Sequence, residues 1–130
     1  MIVTLGRILK VIVNADDLGA SLEVNEVIFR LMAMGRGTSA TLLANSAAFA
    51  DAAARSQEFA ECSFGVHLNA SQWRPVTQDS GLRPILDDTG CFAGNRLREV
   101  NITSALRAAL LREWCGKLSG CSRPVSASAI

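Results

Sequence analysis

Val11-Ile12-Val13-Asn14-Ala15-Asp16-Asp17-Leu18-Gly19 is the stretch on which the fold turns. An apolar run ends in two adjacent carboxylates and a glycine. Val11, Ile12 and Val13 are β-branched and suit a buried strand. The apolar run predicts strand 1 over Arg7 to Asn14, with Asp16 and Asp17 in the loop that follows. Two neighbouring like charges repel and are costly to bury together. A bound cation explains such a pair; so does an Asx-turn or a solvated loop, and both readings stay open on these residues alone.

Working outward, Ser21 is placed to cap a helix, with Glu23 in its first turn. Val24, Val27, Ile28, Leu31 and Met32 recur at helical spacing and predict a helix from Leu22 to Met34, ended by Gly35 and Gly37. Thr38 to Ala44 reads as a second strand ending at Asn45. Ala47 to Ala60 reads as an alanine-rich second helix. Ser63 to Leu68 reads as a third strand ending at His67-Leu68-Asn69. From Ala70 to Val100 periodicity is lost and Pro and Gly punctuate the chain, with Leu82 to Leu86 and Cys91-Phe92 as short extended pieces and Asp87-Asp88 in a turn. So long a loop in a compact domain is commonly functional. Asn101 or Thr103 then caps a last helix, Ser104 to Leu118, with Leu106, Leu110, Trp114 and Leu118 along one stripe.

The order β-α-β-α-β-loop-α implies an α/β fold with a parallel sheet. In such folds sites form at the carboxyl ends of the strands. That edge would gather Asp16 and Asp17, Asn45, and His67 with Asn69. Carboxylate and imidazole together suit zinc, magnesium or another divalent ion. Asp17 and His67 could each ligate, leaving Asp16 as a general base on metal-bound water. Taken singly, each residue has a plainer role: His67 as a packed or capping histidine, Asn45 and Asn69 as loop starters.

The 130 residues fit one domain, and 49% apolar residues support one core. With 13 basic and 12 acidic residues and no basic patch, nucleic acid is not an expected partner. The longest apolar stretch is far below the roughly 20 residues of a membrane span, and Met1 to Lys10 has no signal-type run, so a cytoplasmic protein is expected. Cys62, Cys91, Cys115 and Cys121 have no C-x-x-C spacing and are expected to be free thiols. A response-regulator receiver has a similar length and an acidic pair after its first strand. Its acceptor aspartate would have to end strand 3, where this chain has His67.

VIVNADDLG at Val11 to Gly19, Val24-Asn25-Glu26, GTSATLLAN at Gly37 to Asn45, GVHLN at Gly65 to Asn69, and Arg74-Pro75-Val76 together resemble the YdjC-like carbohydrate deacetylases, the ChbG/HpnK family. The resemblance runs from about residue 8 to residue 125. It implies a distorted TIM-like (β/α) barrel, of which this chain would hold about three β-α units, and metal-dependent removal of acetyl groups from N-acetylated sugars. It implies Asp16 as catalytic base and Asp17 and His67 as ligands of magnesium or zinc; Asn45 and Asn69, at the ends of the other strands, are candidates for substrate binding. The family has a further motif, P-x-H-x-D-S-H-x-H, that supplies another histidine ligand. Here Arg123-Pro124-Val125-Ser126 approaches it and Ala127-Ser128-Ala129-Ile130 departs, and His67 is the only histidine. Closed barrels typically need about 200–250 residues. The expectation is therefore an N-terminal portion of a deacetylase, impaired by one missing ligand, its small-molecule partner an N-acetylated sugar. The alternative is a non-catalytic remnant associating through an exposed sheet edge into a homo-oligomer.

Overall fold

The computed structural model describes residues 10–122. Its centre is a three-stranded parallel sheet in the order β1 (Asn14–Leu18), β2 (Ser39–Leu42), β3 (Ser63–Val66). Helices α1 (Leu22–Ala33) and α2 (Phe49–Ser56) make the two crossovers. The expected α/β order and parallel pairing are thus observed.

The first strand departs from expectation. Val11, Ile12 and Val13 are exposed, at 64%, 79% and 48%, and lie before β1. β1 is an edge strand paired with β2 alone, so β-branched residues upstream of it have no second layer to cover them. Only the Val13 end is tethered, its carbonyl accepting from Thr38 N at 2.9 Å and Ser39 N at 3.2 Å. Residues 7–9 of the expected strand lie outside the described residues. The acidic pair accordingly falls within β1, not in the loop after it.

Helix α1 starts where its cap predicts: Ser21 Oγ accepts from Val24 N at 3.2 Å. Ile28, Phe29 and Met32 of α1 pack with Leu18, Ala40, Leu42 and Ala52 into one core. Asn25 lies on the same α1 face and is fully buried. α2 is shorter than its alanine run, because the chain turns at Gln57 and Glu58.

Beyond β3, Leu82 to Leu86 is not extended. Ser80–Ile85 forms a 3-10 helix whose Leu82 and Ile85 build a second core with Phe92, Leu106, Ala109 and Leu110. Leu86 does pair with Phe92, in an isolated antiparallel bridge. Asp87 Oδ1 closes the expected turn, accepting from Thr89 N at 2.9 Å and Cys91 N at 3.0 Å.

The last helix, α3 (Ser104–Ser122), is capped by Thr103, whose Oγ1 accepts from Leu106 N at 3.2 Å. Its buried stripe runs Leu106, Ala109, Leu110, Glu113, Lys117, while Leu118 is 48% exposed. The stripe therefore swerves from the expected Leu118 onto a charged pair. Cys121, near the end of α3, packs against the first core, so this helix touches both. The four cysteines are free. Among the described residues no helix is long and apolar enough to cross a membrane.

Candidate metal and acyl-hydrolysis site

Adjacent residues of a regular strand point to opposite faces. Asp16 and Asp17 escape that alternation through a β-bulge. Ala15 pairs with Ala40 and Leu18 pairs with Leu42, so Asp16 and Asp17 together face Thr41 alone. Asp17 takes φ +64°, a left-handed conformation that aspartate tolerates better than most residues. Backbone outliers of this kind gather at functional sites.

The bulge sends both carboxylates to one cluster. Asp16 Oδ1 accepts from Thr41 Oγ1 at 2.9 Å and from Asn14 Nδ2 at 2.9 Å. Asp17 Oδ1 lies 3.2 Å from His67 Nδ1, and Thr41 Oγ1 lies 3.5 Å from the same nitrogen. β1 and β3 are separated by β2, so their backbones stand about 9–10 Å apart. Asp17 and His67 close that gap above the central Thr41. Thr41 is the residue that sequence reasoning missed; its place midway along the middle strand was the available signal.

Behind the pair, Gly19 has φ +103°, and a Cβ there would come within 3.0 Å of Ser46 Oγ and 3.3 Å of Phe49 Cα. Asn25 Oδ1 accepts from Gly19 N at 2.7 Å, while its Nδ2 donates to Ala48 O at 3.1 Å and Asp51 Oδ2 at 2.8 Å. One buried amide thus fastens the end of β1 to α1 and the start of α2. A polar residue on the apolar face of a helical pattern was the sequence signal for it.

Asn45 and Asn69 reach the same edge but spend their amides on the loop. Asn45 Nδ2 donates to the carbonyls of Gln72 and Arg74, both at 3.0 Å. Asn69 Nδ2 donates to Asn45 Oδ1 at 3.2 Å, and Asn69 Oδ1 accepts from Ser71 N at 2.8 Å and Gln72 N at 3.1 Å. The loop is also held from α3: Glu113 accepts from Val76 N at 2.9 Å and Thr77 N at 2.8 Å, and Lys117 Nζ donates to Asn69 O.

A carboxylate oxygen and an imidazole nitrogen 3.2 Å apart match the separation of two ligands sharing one ion, about 3.0–3.4 Å for bonds near 2.1 Å. The donor set therefore fits a divalent metal as far as two ligands go. Among the described residues no group of three His, Cys, Asp or Glu side chains could hold an ion.

The chain is similar to carbohydrate deacetylases of Brevibacillus brevis, at 35% identity over 110 residues, and Geobacillus stearothermophilus, at 35% over 107 residues. These alignments cover 85% and 82% of this chain and 42% and 41% of the relatives, so the chain spans less than half the length of the curated relatives it matches. A crystal structure from Enterococcus faecalis V583, provisionally assigned to cellobiose-phosphate cleavage, superposes with a TM-score of 0.70 at 25% identity, covering 85% of this chain and 42% of that one. The YdjC-like protein family matches residues 10–116. With the family's match extending over most of the sequence and the acidic bulge facing its histidine across the sheet, the chain belongs to the YdjC-like family.

Proposed function

We propose that this chain contributes the base and two metal ligands to hydrolysis of the acetamide of an N-acetylated carbohydrate, within a fold that is part of a (β/α) barrel. The 3.2 Å approach of Asp17 to His67 carries the reading, because the bulge that creates it also places Asp16 beside them. Its relatives named carbohydrate deacetylases support the substrate class.

Asp17 and His67 would hold the metal, zinc or magnesium. Such an ion, when bound, lowers the pKa of water and polarises a carbonyl. Asp16 is oriented for a different task. Thr41 and Asn14 fix its Oδ1, and Oδ2 has no partner among the described residues. That oxygen would take the proton of the attacking water while the water oxygen bonds to the acetyl carbon. The C–N bond then breaks, and the proton leaves with the amine. The loop clamped by Asn45 and Asn69 would frame the sugar.

A second reading rests on the ligand number. Catalytic zinc sites normally have three protein ligands. Two of them would bind metal weakly, and the chain on its own would then be a non-catalytic remnant. Zinc titration and acetate release from an N-acetylglucosamine oligomer decide. The proposal expects one zinc per chain, weakened in both Asp17→Ala and His67→Ala, and acetate release abolished by Asp16→Asn. Zinc binding without acetate release supports the remnant. Zinc binding indifferent to both ligand substitutions overturns the site.

A further inference from the structure

A cavity of about 350 Å³ opens beside the loop that follows His67, and Arg74 and Arg83 both line it. Among the described residues neither guanidinium has a carboxylate within ion-pair distance, although four other arginine or lysine side chains do. Asp79 lines the same cavity but is already engaged. Arg112 Nε donates to its Oδ2 at 2.6 Å and Gly81 N to its Oδ1 at 2.9 Å. The positive charge facing the cavity is therefore not cancelled by its own carboxylate.

Both arginines stand on fixed backbone. The Arg74 carbonyl is held by Asn45, and Arg83 sits in the 3-10 helix between the buried Leu82 and Ile85. Gly90 keeps room for the first of them: a Cβ there would lie 3.1 Å from Arg74 Nη1. Gln78 and Ser80 add an amide and a hydroxyl to the wall. A neighbouring cavity shares Arg83 but is lined by Asp87 and Asp88, which leaves the Arg74 side as the place for negative charge.

We propose that this cavity is an oxyanion site in which Arg74 and Arg83 bind a phosphate or carboxylate group. The planar guanidinium fork presents paired donors that match those groups, and both exposed side chains spring from backbone that is itself held. The proposal goes beyond the acidic bulge and does not need a metal there.

The test is a titration of inorganic phosphate into the full chain, followed by calorimetry and amide NMR shifts. Saturable binding is expected, weakened about tenfold in each of Arg74→Ala and Arg83→Ala and unchanged in Arg98→Ala, an exposed arginine elsewhere. Thermal melts establish that each variant is folded. Arg74→Lys and Arg83→Lys keep the charge but lose the fork, and are expected between wild type and alanine. Glucosamine 6-phosphate and glucuronate distinguish the sources. Tighter binding of either than of phosphate assigns the group to a sugar ligand, and affinity no better than that of phosphate assigns it to a free ion, both within the proposed site. Shifts that never saturate, or an equal loss in all three alanine variants, overturn the proposal.

Discussion

Lys117 Nζ and Glu113 Oε1 lie 3.5 Å apart on successive turns of α3, and neither side chain reaches solvent. A buried pair of this kind rests on its hydrogen bonds as much as on its mutual attraction. Glu113 accepts from two backbone N–H groups and from Thr77 Oγ1 at 2.7 Å, and Lys117 stands over the Phe92 ring at 5.0 Å.

Removing one partner should therefore be severe. Lys117→Met strands a buried carboxylate and is expected to cost about 3–5 kcal/mol in denaturant unfolding. Glu113→Ala should cost at least as much, because it also orphans the N–H groups of Val76 and Thr77. Burial lowers the Lys117 pKa below 10.5, with Glu113 opposing the shift. Between that lowered value and 10.5 the unfolded chain holds more protons, so this lysine makes stability rise with pH there. Lys117→Met should flatten that limb of the stability profile.

Asp17 serves both as a conformation and as a ligand, and substitution separates the two. Alanine keeps a Cβ at φ +64°, whereas glycine relieves it. Asp17→Gly is expected to be about 1–2 kcal/mol more stable than Asp17→Ala in urea melts. Both should lose zinc affinity to a similar degree, since both lose the carboxylate.

Asn25 carries three hydrogen bonds without exposure. Asn25→Leu should cost about 2–3 kcal/mol in thermal or urea unfolding, mainly by orphaning the Gly19 N–H. Asn25→Asp keeps an acceptor for Gly19 but sets a second carboxylate against Asp51, 2.8 Å away in the present pair. Its stability should therefore fall further as pH rises through the carboxylate range.

Asp79 sets an acid limit. The Arg112 guanidinium, then the Gly81 N–H, hold its carboxyl below the ordinary 3.8. A depressed folded pKa means that the unfolded chain binds more protons between that value and 3.8. The contribution is complete above 3.8 and lost as pH falls through the folded value. Asp79→Asn should shallow the acid-unfolding curve in that window, and Arg112→Ala should do so in part because Gly81 still donates.

The sequence conveyed the element order, the Ser21 cap, the cap of α3 as a choice between Asn101 and Thr103, and the approach of Asp17 to His67. It did so because periodicity, capping chemistry and the strand-end rule of parallel sheets are local or topological. It misplaced β1, because the β-branched run Val11 to Val13 reports a propensity and not whether a neighbouring layer exists to cover it. It could not show the bulge, which depends on register against β2. It also sent the α3 stripe to Leu118. Hydrophobicity does not reveal that Glu113 and Lys117 find partners in a loop about 40 residues away in sequence, such as the Val76 amide.

The bulge has a consequence for how this sequence can vary. Asp16 and Asp17 take up two places opposite one residue of β2, and the next residue, Leu18, is fully buried in the first core. Deleting either aspartate would restore ordinary alternation and leave Leu18 opposite Leu42, on the core face it already occupies. The extra residue of β1 thus serves the site and not the interior. Loss of one position would leave the interior in phase and take one carboxylate from the site.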